Sequence, residues 1–325
     1  MQSSSTSKSR TEGRNNKMEK VLVTGGAGFV GHHLVKRFLQ MGWTVHVLDD
    51  LSNGTRSDVP SGAVFFEGDV RDADAVGKAM NDCQAVVHLA ARVELQKSII
   101  DPADCFSVNV TGTANVVAEC LKMNDRRLVF ASSCAVYPLN PGKPLTEDMA
   151  TSGETPYALS KRSGEQIINI YNRMKGLNAC SLRCFNIYGP KQRADSPYAA
   201  VVPKFIDLSL HGKPLTIYGS GEQTRDFVHV EDVVDCYIVA ADSNAGGTFN
   251  VGTGEATSIK KLAEEVIKIE GAGEIMNLPA VPGDASSSRA DISLTRATFN
   301  YSPKISLSRG LRSLYFAVKR RAGQD

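Results

Sequence analysis

The sequence predicts an α/β protein in which a doubly wound parallel sheet carries a second, smaller α/β unit. Three observations lead there. Short β-branched apolar runs alternate with helical patterns over the first half of the chain, a glycine-rich turn joins the first run to the first helix, and the rhythm stops after Phe185.

The runs are Lys20–Val23, Thr44–Leu48, Val64–Glu67, Ala85–Leu89, Leu128–Ser132 and Ala179–Leu182. None alternates apolar with polar, as expected of strands buried on both faces. Helical patterns lie between them, most clearly at Phe29–Met41 and Ala103–Met123. This β-α-β order predicts a parallel sheet. Beyond Phe185, glycine and proline become frequent, as at Gly189-Pro190, Pro203, Gly212, Pro214, Gly219 and Gly221. Further strands are expected at Phe227–Val230 and Thr248–Val251, the latter ahead of an amphipathic helix at Ser258–Ile269. The expected organisation is a disordered leader over 1–17 and a dinucleotide-binding unit over 18–184. A mainly substrate-binding unit follows over 185–325, and about 226–252 returns to the sheet.

The leader is polar and basic, and it lacks the apolar stretch of a secretory signal. Lys plus Arg number 37 against 35 Asp plus Glu, so a net charge of +2 gives no reason to expect nucleic acid. No apolar run approaches the roughly 18 residues that would insert into a membrane. Seven dispersed cysteines without a CxxC pair suit neither a disulfide framework nor a zinc site, and no metal is expected. They read as small buried hydrophobes in a reducing compartment, predicting a cytoplasmic location.

Lys20–Val23 runs directly into Thr24-Gly25-Gly26-Ala27-Gly28-Phe29-Val30-Gly31 and then into a helix. Gly25 permits a tight turn, Gly28 lets backbone approach a pyrophosphate, and Gly31 lets helix and strand pack closely. The helix N-terminus offers free N–H groups to the phosphates. Asp49, about 20 residues on at the end of the second strand, can accept hydrogen bonds from the adenosine ribose and would repel a 2′-phosphate. NAD rather than NADP is the expected cofactor. Asp69, after the third strand, either meets the adenine edge or caps the next helix.

Tyr157 and Lys161 form a YxxxK pair, with Pro156 suited to a helix start. Four-residue spacing puts both on one helix face. A tyrosine near its free pKa of about 10 is a poor base at neutral pH. A neighbouring ammonium and a cationic nicotinamide would favour the phenolate. Ser132 and Ser133 lie just past the fifth strand, at the edge where open parallel sheets bind ligands. Ser133 either shares a proton with Tyr157 or merely satisfies backbone groups.

Together these strings resemble the extended short-chain dehydrogenase/reductase family, particularly its nucleotide-sugar 4-epimerases. The matching strings are TGGAGFVG (24–31), DDLSNG (49–54), GDVRD (68–72), HLAA (88–91) and NVTGT (109–113). SSCAVY (132–137), YALSK (157–161), FNIYGP (185–190) and RDFVHVEDV (225–233) complete the set in family order. The resemblance implies a Rossmann-type sheet and a catalytic triad of Ser133, Tyr157 and Lys161, with Tyr157 the base for the sugar 4-hydroxyl. Lys161 and Tyr157 would also hold the nicotinamide ribose.

It further implies NAD contacts from Gly25, Gly28, Phe29 and Val30 of the first string. Asp49, Asp50, Asn53 and Gly54 would supply more, as would Asp69, Val70, Leu89, Ala90 and Ala91. Asn186 and Arg225 would contact the diphosphate of a UDP-sugar. Val202, Thr216 and Tyr218, within VVPKF and LTIYG, would surround the base. The implied reaction passes hydride from C4 to a retained NAD, leaves a transient 4-keto sugar, and returns the hydride to its other face.

Related dehydratases and decarboxylases carry acidic residues where this chain has Cys134 and Ala135, which disfavours elimination. A reductase, or a 3,5-epimerase using Cys134, remains the alternative on the same scaffold; a non-catalytic dinucleotide sensor is the alternative of another class. In the segment Pro282 to Asp291, Ser288 falls at the position that is a large tyrosine in relatives confined to non-acetylated hexoses. A serine there leaves room for an N-acetyl group and implies UDP-GlcNAc/UDP-GalNAc, with UDP-Glc/UDP-Gal also accepted. A shifted alignment would instead make it a serine-rich surface loop. Val281 stands where many relatives have a diphosphate-binding arginine, and Arg289 is a candidate replacement. Helices near 103–123 and 158–175 correspond to those forming a four-helix homodimer interface in similar proteins.

Overall fold

The computed structural model describes residues 20–123, 126–139, 142–194, 199–271, 273–280 and 287–321. The leader over 1–17, Val281 and positions 282–286 of the Ser288 segment lie outside them. Seven strands form the main sheet: β1 (Lys20–Thr24), β2 (Thr44–Asp49), β3 (Val64–Glu67), β4 (Ala85–His88), β5 (Arg127–Ser133), β6 (Ala179–Cys184) and β7 (Gly247–Val251). Their spatial order is β7-β6-β5-β4-β1-β2-β3, and every neighbouring pair is parallel. The order runs outward in both directions from the β1/β4 pair, so a crevice opens where their carboxyl ends diverge.

Helices cover both faces, which is why the strands are apolar throughout. Leu34, Val35 and Phe38 of the Phe29–Gln40 helix join Val233, Val234 and Tyr237 of the Val230–Ala241 helix on one side. Val76, Val116, Val117 and Ile168 pack on the other. A third apolar cluster, around Tyr188, Phe205, Leu215, Leu262 and Leu311, is the core of the smaller unit. Each fully buried Leu or Phe in these layers contributes roughly 1.5–3 kcal/mol.

The Pro156–Lys175 helix shows how locally these elements are encoded. The Thr155 hydroxyl accepts from the Ala158 N–H at 3.2 Å, proline takes the first turn, and left-handed Gly176 ends the helix.

Two expectations needed correction. Phe227–His229 does not rejoin the main sheet. It pairs in parallel with Asn186–Tyr188, because the chain leaves β6 at Cys184 and the next extended segment needs a new partner. The returning strand is β7 alone. The helix expected over Ala103–Met123 is also broken in pitch: Pro102–Phe106, a wide π-type turn at Ser107–Thr111, then Gly112–Cys120. The wide turn lets Asn109 clip the loop after β4. Its Oδ1 accepts from the Arg92 N–H at 2.7 Å, and its Nδ2 donates to the Arg92 carbonyl at 3.0 Å.

Candidate active site

The turn after β1 is shaped for close approach. Gly25 has a left-handed φ of +73°, and a Cβ there would lie 2.7 Å from the Ala90 nitrogen. A Cβ at Gly31 would lie 2.1 Å from the Gly25 carbonyl oxygen. The Phe29–Gln40 helix can thus reach β1 only through glycine, and its N-terminus, with no side-chain cap at Gly28, points into the crevice. Gly28, Phe29 and Val30 line a cleft there with Gly25, Asp49 and Asp50. Asn53, Gly54, Asp69 and Val70 line its outer part, and Leu89, Ala90 and Ala91 its floor. Every proposed NAD contact apart from Tyr157 and Lys161 therefore faces one space.

Asp49 fits a ribose. Its two carboxylate oxygens accept from the Ala27 and Leu51 N–H groups, each at 2.9 Å, which fixes the plane and leaves each oxygen a lone pair for a diol. Burial raises its pKa, and those two donors oppose the rise. Asp69 is not the cap of the next helix. Asp72 is, accepting from the Asp74 and Ala75 N–H groups, while Asp69 pairs with the Arg71 guanidinium at 2.5 Å. That pairing holds the Asp69 pKa below its usual range.

Beneath the cleft runs a buried polar chain that sequence reasoning did not find. The Ala90 N–H donates to Thr24 Oγ1 (3.2 Å), which meets His88 Nδ1 at 2.7 Å. His88 Nε2 meets Thr113 Oγ1 at 3.0 Å, and that hydroxyl donates to the Asn109 carbonyl at 2.6 Å. Because the Thr113 proton is committed, His88 Nε2 is the donor and Nδ1 accepts from Thr24, which assigns a neutral imidazole. Burial agrees, lowering the His88 pKa to about 3. The signal was present in HLAA and NVTGT, but only the fold shows that the two motifs meet.

At the carboxyl end of β5 the two serines part company. Ser132 donates to Glu165 at 2.5 Å, and Glu165 is also held bidentately by Arg183 at 2.9 and 2.8 Å. Ser133 accepts from the Ala135 N–H and lies close enough to the Tyr157 phenol to oppose the rise in its pKa. Burial raises the Tyr157 pKa to about 12, against the lowering effect of Ser133. Lys161 is almost fully buried, and its ammonium donates to the Ala131 carbonyl at 2.8 Å, 5.1 Å above the Phe130 ring. Burial lowers its pKa to about 8, so it remains mostly charged at pH 7. The expected lowering of Tyr157 by Lys161 is therefore not yet in force. The resting tyrosine is a protonated phenol at neutral pH. Burial likewise pushes the neighbouring Cys134 thiol up to about 12, so it too holds its proton at neutral pH.

Of the residues proposed for the substrate, Arg225 lies near enough to Cys134 to lower its pKa. Asn186 is half-buried, its N–H donating to the Asp226 carbonyl at 3.0 Å. Arg225 lies on the short Thr224–Arg225 strand, and the Ser288 N–H donates to the Thr224 carbonyl at 3.1 Å, placing the two side by side. Arg289 is exposed, and its carbonyl accepts from Leu145 N–H. Thr216 is half-buried and Tyr218 exposed, with the Lys204 ammonium 5.8 Å from the Tyr218 ring. Val202 differs from expectation: it is 2% exposed and spends its side chain on the core of the smaller unit.

A glycine-gated crevice, an anchored ribose acceptor and a Ser-Tyr-Lys cluster define a dinucleotide-dependent enzyme of the short-chain dehydrogenase type. A profile of the NAD dependent epimerase/dehydratase family matches residues 21–252, and the chain belongs to that family; its cofactor is NAD. A UDP-glucose 4-epimerase of Mycolicibacterium smegmatis is 36% identical over 301 residues, covering 90% of this chain and 96% of that one. The crystal structure of the Thermus thermophilus UDP-glucose 4-epimerase in complex with NAD superposes with a TM-score of 0.86 at 35% identity, covering 92% and 99% of the two chains. A UDP-N-acetylglucosamine 4-epimerase from Methanobrevibacter ruminantium gives a TM-score of 0.90 at 33% identity, covering 94% and 99%.

The Lys161 environment predicts a pH signature. Its folded-state pKa of about 8 lies below the model-peptide value of 10.5, so the folded state disfavours the charge. The unfolded chain binds more protons between those values, and wild-type stability gains from this group as pH rises through that window. Lys161→Met should be more stable than wild type at pH 7, by about 3 kcal/mol at most. The difference should shrink towards zero between pH 8 and 10, as read by urea unfolding. A pH-independent difference would refute the buried charge.

Proposed function

We propose that the protein is an NAD-dependent UDP-sugar 4-epimerase acting on UDP-GlcNAc/UDP-GalNAc, with UDP-Glc/UDP-Gal also accepted. The observation that carries the reaction class is the lack of a carboxylate at the two positions after Ser133. Tyr157 lies beside Ser133, and those positions hold Cys134 and Ala135. Elimination of water needs a second acid/base pair, whereas inversion at one carbon needs only one group that takes a proton and gives it back.

When bound, NAD supplies the hydride acceptor and donor for C4. Ser133 orients the 4-hydroxyl and Tyr157 takes its proton, then returns it when the sugar is re-reduced on its other face. Lys161, its ammonium held by the Ala131 carbonyl, has two N–H donors to spare that would hold the nicotinamide ribose. The helix N-terminus at Gly28 and the glycine turn receive the pyrophosphate. Asn186 and Arg225 engage the substrate diphosphate. Tyr157→Phe should retain NAD and lose turnover by roughly 10²–10⁴-fold; unchanged turnover would remove Tyr157 from the role.

The N-acetyl preference rests on Ser288, small and held beside Arg225 through the Thr224 carbonyl. The relative from Methanobrevibacter ruminantium supports it by its substrate. Incubating the purified protein, without added NAD, with UDP-GlcNAc and separately with UDP-glucose tests both parts, with sugar NMR following C4. Inversion of UDP-GlcNAc that Ser288→Tyr abolishes, while UDP-glucose is still inverted, is the expected result. Inversion of UDP-glucose alone by wild type would discard the Ser288 argument and keep the epimerase. Inversion of neither, even with NAD supplied, would discard both substrates and turn the reading to another sugar nucleotide or to Cys134 chemistry.

The assembly completes the reading: a homodimer through the Pro156–Lys175 helix and its neighbour across a two-fold axis. Leu159, Ile170 and Met174 are exposed at 40, 42 and 72% on helical spacing, a stripe that water solvates poorly and a second copy would cover. Sedimentation should show a dimer that Ile170→Glu with Met174→Glu converts to monomer. A wild-type monomer at micromolar concentration would overturn it.

A further inference from the structure

Arg92 lies outside every role given so far, yet its surroundings are more elaborate than those of any other surface cation near the cofactor cleft. Its backbone is clipped from both sides by Asn109 at 2.7 and 3.0 Å, so the residue cannot drift with its loop. Its guanidinium lies at the border of the cofactor cleft and ties two segments together. Nη1 donates to Ser52 Oγ at 2.6 Å and stands 3.6 Å from the Asp50 carboxylate, both on the loop after β2. Nε donates to Asp104 at 2.7 Å, on the Pro102–Phe106 helix. Asp104 in turn meets Arg71 at 3.4 Å, and Arg71 holds Asp69 on the loop after β3.

Loops from three successive strands are thereby tied to one another above the crevice. The tie also separates two spaces. Outside the cofactor cleft lies a second cavity of about 400 Å³, bounded by Lys97, Ser98, Ile100 and Cys105. Ser52, Asn53, Ala91, Arg92 and Val93 line both spaces, so the Arg92–Ser52 contact is part of the wall between them.

We infer that Arg92 is a latch: its bridge to Ser52, Asp50 and Asp104 must open for NAD to leave through the adjoining cavity, and it sets the rate of cofactor release. This rests on the reading that NAD is retained through turnover. The physics suits a latch better than a rivet. The groups are about one-third exposed, so each contact is weak and salt-sensitive, but all of them must part together. Arg92 is a positioning residue for the bound nucleotide and touches no reacting atom.

The test loads the full chain with radiolabelled NAD, chases with excess unlabelled NAD and follows release. Arg92→Ala should release NAD about tenfold faster than wild type, and Asp104→Asn should fall between them. Raising KCl from about 0.05 to about 1 M should accelerate wild-type release and leave Arg92→Ala nearly unchanged, a response that loss of packing alone would not produce. Circular dichroism and thermal unfolding establish that each variant is folded, and Asp104→Asn carries the test if Arg92→Ala is not. Equal release rates for wild type and the folded variants overturn the latch and leave NAD retention standing. A wild type that exchanges label within the mixing time overturns retention and the latch with it.

Discussion

A single close contact sets the geometry on which the site depends. The Phe29–Gln40 helix crosses so near the turn after β1 that the only tolerable neighbour of the Gly25 carbonyl oxygen is a residue without a side chain, and Gly31 supplies it. That approach aims the uncapped helix N-terminus at the divergence of β1 and β4, where backbone N–H groups and the helix dipole can meet an anion. It also leaves no side chain in the path of a pyrophosphate. Move the helix outward by the width of a methyl group and the crevice, the Asp49 anchor and the loop after β4 lose their mutual register, because Asp49 is bonded to Ala27 within the same turn.

A second layer of order lies under the first and is entirely polar. The chain from the Ala90 N–H through Thr24, His88 and Thr113 to the Asn109 carbonyl satisfies every donor it contains. A buried imidazole with either nitrogen unpaired would cost about 1–3 kcal/mol. Here both are used, and the histidine is held neutral close to a lysine that must stay charged. Asn109 then extends the order outwards, since the wide helical turn that carries it lets one side chain hold the Arg92 backbone at both ends. The floor of the cofactor cleft and the bridge over its mouth are thus parts of one hydrogen-bonded assembly.

The Tyr157–Lys161 pair is arranged by burial and by competition for partners. Glu165, itself held by Arg183, occupies Ser132 and leaves Ser133 as the hydroxyl beside Tyr157. Lys161 is turned to the Ala131 carbonyl and the Phe130 face, which keeps an ammonium in place while burial pulls its pKa down. With burial pushing Tyr157 the other way, the resting site holds its protons. A positive charge brought beside that phenol would favour its ionised form.

Much of this was legible from residues alone. Strand positions followed from buried β-branched runs, and the cofactor turn from three glycines placed between strand and helix. Asp49 followed from its distance beyond them, and the Tyr157–Lys161 helix from a cap, a proline and a four-residue spacing. These are local or short-range features, and the chain encodes them in the order in which it is read. What sequence could not determine was where distant segments meet. Phe227–His229 looked like any sheet strand, yet it pairs with Asn186–Tyr188; Val202 looked available to a ligand and lies in a core. The choice between Ser132 and Ser133 was made by Glu165, over 30 residues away. Arg92 acquired its place from Ser52 and Asp104, on either side of it in the chain. The sequence by itself determined the fold class and the chemistry of the cofactor edge, because propensity, periodicity and motif spacing act over a few residues. The tertiary structure alone decided protonation and partner choice, because these depend on burial and on contacts between segments far apart in the chain.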